Sequence, residues 1–232
     1  MKLIECVPNF SEGRDLNVIK QITNEIESVP GSMLLDVDPG PDTNRTVVTF
    51  IGTPESVLES AFKAIKKASE LIDMTKHKGE HPRMGATDVC PFIPVNGVTL
   101  EECVEVSKKL GKRVADELNI PVYLYEYSAT ENKRKSLANI REGEYEGFKE
   151  KIKKPEWKPD FGKAIFNEKS GATVMGVRDF LIAYNVNLNT RDARLATTVA
   201  NAIREKGSPK KDANGKLVKN EKNETLYIPG RL

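Results

Sequence analysis

The sequence predicts an α/β sandwich whose sheet is antiparallel or mixed rather than doubly wound and parallel. Strand-like and helix-like periodicities alternate over about the first 125 residues, as in a layered fold. The strand-like runs 33–37 and 45–51 are joined by a short Pro/Gly loop, and such a link joins antiparallel neighbours. With 232 residues and 38% hydrophobic side chains, the chain can bury a real core.

Alternating or β-branched apolar runs predict six strands, over residues 2–7, 33–37, 45–51, 88–95, 121–125 and 180–188. Residues 9–13 are predicted as a turn. The run Asp38-Pro39-Gly40 is expected to end the second strand, because proline lacks the N–H donor of a ladder. For the same reason Pro91 and Pro94 predict that strand 88–95 lies at a sheet edge.

Apolar residues at helical spacing predict four helices, over residues 15–28, from Thr53-Pro54 to about Leu71, from Thr99 to Leu118, and from Thr190 to Ile203. Thr99 to Glu102 has the spacing of a capping box. Residues 127–160 are polar and irregular, with short helical candidates near 134–150. Residues 207–225 are rich in Lys and Asn and are predicted to be a mobile loop.

The composition argues against two classes of partner. The chain has 36 basic and 34 acidic residues, a net charge of +2, which leaves no general footprint for nucleic acid or a membrane surface. No apolar run approaches the ~18 residues of a membrane span. The three cysteines, Cys6, Cys90 and Cys103, are odd in number and widely spaced, which favours free thiols in a reducing compartment. A cytoplasmic protein is expected.

Both histidines of the chain lie in the stretch His77–Gly85, four residues apart. His77-Lys78-Gly79-Glu80-His81 matches the inverted zinc-protease pattern, but Gly79 and Pro82 disfavour the helix on which a metal pair depends. A neutral imidazole is also the natural general base near pH 7. The bland alternative is a loop whose histidines are solvated or bonded to backbone. From the residues alone, base and loop are about equally supported.

Long strings of this sequence resemble the glutamate formimidoyltransferase family. The resemblance runs from residue 3 to about 205, and the strings that carry it are Glu5–Gly13, Leu34–Asp38, Asn44–Val47, Ile72–Ala86, Asp88–Pro94, Pro121–Tyr125 and Leu181–Asn187. Members of the family transfer a formimidoyl group from N-formimidoyl-L-glutamate to N5 of tetrahydrofolate. The resemblance implies that tetrahydrofolate is the co-substrate, that His81 is the catalytic residue and that His77 has a structural role.

The resemblance also implies a folate-binding segment after the turn Trp157–Gly162. Its residues are Gly162, Lys163, Ala164, Ile165, Phe166, Asn167, Glu168, Lys169, Ser170 and Gly171. Both substrates carry glutamate carboxylates, so Arg45 and Arg83 are candidate anchors, with a surface ion pair as the alternative for each. Asp38 and Glu80 are candidates for a carboxylate that orients His81, and Asp38 is also a candidate substrate contact.

The family fold implies an α+β, ferredoxin-like sandwich made of two subdomains with the substrates between them. Residues 1–180 then form a complete N-terminal subdomain and residues 181–232 the start of a second one, which is expected to be truncated. A homodimer that binds only small molecules, with no bound metal, is expected. Two alternatives stay open: a folate-binding remnant without turnover, and formyl transfer between glutamate and folate.

Overall fold

The chain divides into two units, Met1–Leu181 and Ile182–Leu232. The computed structural model describes residues 1–182, 186, 188–204, 207–220 and 224–229. The first unit holds one sheet and most of the helices, and the second holds a helix and two very short strands. That the second unit is the start of a C-terminal subdomain stays a prediction.

The first half of unit 1 is a βαββαβ arrangement around an antiparallel sheet. The elements are β1 (Leu3–Cys6), β2 (Asn9–Phe10), α1 (Leu16–Glu27), β3 (Ser32–Gly40), β4 (Arg45–Gly52), α2 (Pro54–Leu71) and β5 (Thr87–Asn96). Strand β3 pairs with β4, and β1 and β2 lie end to end between β4 and β5. The strand order β3-β4-β1-β5 is that of a ferredoxin-like fold, so the predicted fold class is confirmed.

The second half of the unit extends this sheet with parallel strands, which makes the sheet mixed. After α3 (Leu100–Leu118) come β6 (Val122–Glu126), α4 (Leu137–Arg141), α5 (Glu144–Lys151) and β7 (Thr173–Val177). Strand β7 lies between β5 and β6 and is parallel to both. Single turns of 3₁₀ helix at Asn132–Arg134 and Pro155–Trp157 flank the two short helices.

Local caps explain where the three long helices begin. Asp15 accepts hydrogen bonds from the backbone N–H groups of Asn17 and Val18 at the start of α1. Thr53 caps α2, with Pro54 in its first turn. Thr99 and Glu102 form the predicted capping box of α3. These signals are short in sequence, which is why the helix starts could be predicted.

The two faces of the sheet are covered differently. Helices α1 to α3 lie on one face, where Ile4, Val48, Phe50 and Phe92 are part of a continuous buried core. On the other face α4 and α5 cover only the β5-β7-β6 half, packing on a second cluster that includes Tyr123. On β4 the residues Arg45, Val47, Thr49 and Ile51 alternate with buried ones and stay partly exposed. One half of the second face is therefore polar and accessible within unit 1.

A buried lysine of α5 holds the end of the short helix α4. The Lys151 Nζ donates to the carbonyl oxygens of Asn139 (3.0 Å), Ile140 (2.8 Å) and Glu142 (2.8 Å), at the C-terminal end of α4. The same ammonium lies 3.9 Å from the ring centroid of Trp157. These contacts satisfy carbonyl groups that the end of a helix leaves without partners.

The prediction that strand 88–95 lies at an edge was wrong, because β5 is paired on both sides. The carbonyl of Pro91 accepts from the N–H of Val7 at 3.1 Å, which puts Pro91 opposite the break between β1 and β2. Pro94 faces Ile4 beside a register shift in β1. Each proline therefore lies opposite an irregular position of the neighbouring strands, where the N–H group that proline lacks is not needed for pairing.

Three further predictions about strands need correction. Strand β3 continues through Pro39 to Gly40, because it pairs only with β4 and its other edge needs no donors. Residues Asn9–Phe10, predicted as part of a turn, form β2. Strand β7 was missed because Gly176 interrupts its apolar pattern. A Cβ on Gly176 would lie 2.3 Å from the Tyr125 carbonyl oxygen, so glycine permits the close approach of β6.

In unit 2, α6 spans Ala193–Ile203, and its N-cap is Asp192 rather than the predicted Thr190. The short strands β8 (Ser208–Pro209) and β9 (Tyr227–Ile228) pair antiparallel, within or just beyond the segment predicted as a loop. Of the predicted strand 180–188, residues 183–185 and 187 lie outside the described residues. The described residues of that run are not in a strand.

Candidate active site

The stretch that contains both histidines links α2 to β5 and is tied down at its two ends. Near its start, the N–H of Met74 donates to the carbonyl of Lys169 at 2.9 Å. In its middle, Gly79 lies so close to the turn between β3 and β4 that a Cβ there would be 2.2 Å from the Thr43 carbonyl oxygen. At its end, Gly85 forms a bridge with Gly171. The stretch is thus a fixed loop, as Gly79 and Pro82 predicted, and not a helix.

His77 uses both of its ring nitrogens for contacts within the protein. Its Nε2 lies 2.8 Å from the carbonyl oxygen of Asn44, and its Nδ1 accepts from the Arg83 Nε at 3.1 Å. This pattern requires the neutral tautomer with the proton on Nε2. Burial lowers the pKa of His77, with Arg83 and Arg14 lowering it further, although the Asn44 contact opposes them. The arrangement supports a structural role for His77.

Asn44, whose carbonyl oxygen contacts His77, is itself held in place by its side chain. Its backbone is left-handed (φ 47°), and it is 7% exposed. Its Oδ1 accepts from the N–H of Gly13 and its Nδ2 donates to the carbonyl of Lys78, both at 3.0 Å. One side chain therefore joins the β3–β4 turn, the loop after β2 and the histidine loop.

Arg83 is buried and fully occupied by partners in unit 1. Its Nη1 donates to Glu144 (3.0 Å) and Glu146 (2.9 Å), and its Nη2 donates to Glu146 (2.7 Å) and to the His77 carbonyl (3.3 Å). With the Nε bond to His77, all five N–H donors of the guanidinium are engaged. Arg83 therefore fixes the loop to α5 in this structure and has no donor left for a substrate carboxylate.

His81 differs from His77 because its ring makes few contacts. It is half-buried, and its Nδ1 is buried without a hydrogen-bond partner among the described residues. Burial lowers the pKa of His81, and the positive charges of Arg45 and Arg141 lower it further, whereas the charge of Asp88 raises it. A hydrogen bond to the backbone of Pro82 also raises the pKa, but the net shift is downward, which favours the neutral imidazole at pH 7.

Arg45 extends from β4 on the open half of the sheet, close enough to His81 to affect its charge. Its Nη1 donates to Asn9 Oδ1 on the adjacent strand β2, and its Nε is buried without a partner among the described residues. Burial lowers the pKa of Arg45, and the nearby carboxylates of Asp88 and Asp38 raise it. Asp38 itself is exposed on β3.

Asp88 and Arg141 were not predicted as site residues, although both act on His81. Asp88 is 0% exposed and forms an ion pair with Arg141 of α4. The one signal in the sequence is a lone carboxylate at the start of an apolar strand. The predicted orienting carboxylates, Asp38 and Glu80, are both exposed, whereas Asp88 is buried and its charge raises the pKa of His81.

The predicted folate-binding segment Gly162–Gly171 follows the edge of the sheet at the N-terminal ends of β6 and β7. Its two end glycines have positive φ values of 91° and 66°. At Gly171 a Cβ would lie 2.1 Å from the Met84 carbonyl oxygen. The carbonyl of Ser170 accepts from the Ala86 N–H at 2.9 Å. The segment is thus joined by backbone contacts to the loop that carries His81.

A groove of about 670 Å³ lies along the other end of this segment. It is lined by five residues of the segment, which are Gly162, Lys163, Ile165, Phe166 and Asn167, and by Ala115, Asp116 and Asn119 of α3 and its C-cap. Since His81 does not line this groove, the structure of unit 1 does not bring the imidazole and the groove into one pocket.

The metal alternative finds no further support. Among the described residues there is no group of three or more His, Cys, Asp and Glu side chains placed to hold an ion. Both nitrogens of His77 are already engaged. The three cysteines are buried free thiols, and the Sγ atoms of Cys6 and Cys90 lie 3.5 Å apart.

Comparison with known proteins decides which family this geometry belongs to. The model of the formiminotransferase domain, N-terminal subdomain, matches residues 3–178. This chain belongs to the formiminotransferase family. The match spans the whole sheet of unit 1, the histidine loop and the segment Gly162–Gly171.

Relatives in the family share about half of the sequence. The formimidoyltransferase-cyclodeaminase of Dictyostelium discoideum is 56% identical over 211 residues, 90% of this chain and 39% of that protein. The glutamate formimidoyltransferases of Streptococcus pyogenes serotype M1 (48% over 206 residues) and Thermoplasma acidophilum (50% over 208 residues) are each covered to about two thirds. The chain thus spans about two fifths of the length of the formimidoyltransferase-cyclodeaminases that it matches.

None of the helices in the described part of the chain is both long enough and apolar enough to cross a membrane.

The contacts of His77 predict its protonation state. A second proton on Nδ1 would face the N–H of Arg83, so His77 should stay neutral as the Nε2–H tautomer and titrate below pH 6.5. Long-range ¹H–¹⁵N correlation spectra across a pH titration measure both properties. An Nδ1–H tautomer, or a midpoint at or above pH 6.5, would show that His77 does not have this locking role.

Proposed function

We propose that this chain carries the formimidoyl-transfer chemistry of its family. In this reaction a formimidoyl group passes from N-formimidoyl-L-glutamate to N5 of tetrahydrofolate, and L-glutamate is released. The observation that carries the proposal is the contrast between the two histidines. His77 has both nitrogens bonded, whereas His81 is half-buried, its Nδ1 has no hydrogen-bond partner among the described residues, and burial lowers its pKa.

His81 is proposed as the general base and acid. N5 of tetrahydrofolate attacks the amidine carbon and forms a tetrahedral intermediate. His81 takes the proton from N5 and then gives a proton to the glutamate nitrogen as the bond from carbon to that nitrogen breaks. An imidazole whose pKa lies below its usual value is in the base form at pH 7, which the first step requires.

Arg45 is proposed as the anchor for a substrate carboxylate. Its Nε has no protein partner among the described residues, and Asn9 holds one end of the guanidinium in place. A planar guanidinium with a free edge suits bidentate binding of a carboxylate. Arg83, the other candidate, has all its donors engaged. Asp38, exposed near Arg45, is proposed to face the positively charged amidine.

The segment Gly162–Gly171 is proposed to contact tetrahydrofolate. Its backbone joins the His81 loop through the contacts of Ser170 and Gly171. Its other end exposes Ile165 and borders the groove along α3, so apolar and polar groups are both available to a bicyclic ring. Cytoplasmic location and a homodimer remain part of the proposal.

Removing the imidazole of His81 tests its role as the base. The His81→Ala variant should lose at least about 10²-fold in kcat, the typical contribution of a positioned general base. The measurement is the rate of glutamate release from formimidoylglutamate and tetrahydrofolate. His77→Ala is the matched control and should retain most of its kcat once corrected for folded protein.

Equal activity in His81→Ala and the unaltered chain would contradict the assignment of the base. Tetrahydrofolate binding by calorimetry in the unaltered chain, with no glutamate release, would instead support a folate-binding role without turnover.

Removing the charge of Arg45 tests the carboxylate anchor. Arg45→Met should raise KM for formimidoylglutamate by about 10- to 100-fold, since a hydrogen bond to a charged group contributes roughly 1.5–3 kcal/mol. KM for tetrahydrofolate should change much less. Arg113→Met is the control, because Arg113 pairs with Glu59 and Glu117 in the helix layer. An unchanged KM in Arg45→Met would exclude Arg45 as the anchor.

A further inference from the structure

A β-bulge in β5 lies at Asp88, whose buried side chain meets helix α4. In the pairing of β2 with β5, Asn9 faces Val89 and Phe10 faces Thr87, which leaves Asp88 as the extra residue. A bulge of this kind re-aims a side chain and is common beside functional sites. Asp88 is therefore placed among the charges near His81 by a specific irregularity of the strand.

Asp88 meets two partners there, and both connect to the proposed site. Its Oδ1 accepts from the N–H of Met84 at 2.9 Å, which fixes the backbone three residues after His81. The Arg141 guanidinium donates from Nε to the same oxygen at 3.3 Å and from Nη2 to Oδ2. Arg141 is the last residue of α4. Lys151 donates hydrogen bonds to the carbonyl groups at this end of the helix.

The fully buried carboxylate of Asp88 is not explained by stability alone. Taking a carboxylate out of water costs several kcal/mol, and an ion pair of this kind often contributes no more to stability than apolar side chains of similar size. A charge placed inside the protein beside a titratable group has a second effect, because it changes the basicity of that group.

The charges that face His81 come from three elements. Arg45 on β4 and Arg141 on α4 are positive, and Asp88 on β5 is negative. The Asp88 charge acts in the opposite sense to that of Arg141, so removing both charges should change the basicity of His81 less than removing Asp88 alone. Without Asp88, two uncompensated guanidinium groups would make the imidazole a much weaker base.

We propose that Asp88 and Arg141 are positioning residues for His81, which fix the loop that follows it and set the charge around its imidazole. The proposal rests on the proposed function only in giving His81 the role of a base. Its physical content, a charge balance acting on the imidazole, can be measured without turnover.

The test is an NMR titration of the histidine side chains in the full chain. With only two histidines, the ring signals can be assigned from the loss of one set in a His77→Gln variant. Asp88→Asn keeps an oxygen for the Met84 N–H but removes the charge. It should lower the pKa of His81 by about one unit. The double variant Asp88→Asn with Arg141→Gln should return the pKa to near its original value.

Asp160→Asn is a matched control. Asp160 also pairs with a buried arginine, Arg134, and also accepts a backbone N–H, that of Leu124 at 2.8 Å. It is absent from the charges that act on His81. This variant should lose stability but leave the pKa of His81 unchanged.

Reversal of the shift in the double variant distinguishes charge balance from structural damage, because damage from two substitutions adds rather than cancels. No shift in Asp88→Asn, no return in the double variant, or an equal shift in Asp160→Asn would each overturn the proposal. If Asp88→Asn does not fold, the Arg141→Gln variant tests the proposal by itself. It should raise the pKa of His81, and an unchanged or lower pKa would overturn the proposal.

Discussion

The buried ion pair between Asp88 and Arg141 is the interaction on which the proposed site depends. A carboxylate with no exposed surface, at the bulge of a central strand, requires a positive partner and a hydrogen-bond donor. The chain after β6 supplies the guanidinium on the short helix α4, and the histidine loop supplies the N–H of Met84. Helix α4, strand β5 and the histidine loop are joined at the carboxylate of Asp88.

The contacts that hold the histidine loop differ between the two histidines, and so do the roles proposed for them. Arg83 and Asn44 hold His77 as a neutral link between the loop, the β3–β4 turn and α5. With the loop held there, and with the Met84 N–H bonded to Asp88, contacts fix the backbone on both sides of His81. An imidazole whose backbone is held by neighbouring contacts suits the role of base proposed for His81.

What could be predicted from the sequence was local. Helix starts follow from caps such as Thr99 with Glu102, and the loop follows from Gly79 and Pro82. The features that the sequence did not predict depend on residues that are distant in the chain. Pro91 is tolerated in a central strand only because β1 and β2 are interrupted opposite it. Arg83 is unavailable to a ligand only because Glu144 and Glu146, more than 60 positions away, bind it.

We propose that His81 is the base and that burial and two arginines lower its pKa. The pH dependence of kcat/KM for formimidoyl transfer, compared with the titration of the His81 ring in the same chain, tests this role. We expect an acid limb whose pKa lies below 6.5 and equals the titrated value of His81. An acid limb at or above pH 6.5, or one that differs from the titration of His81, would show that His81 is not the base.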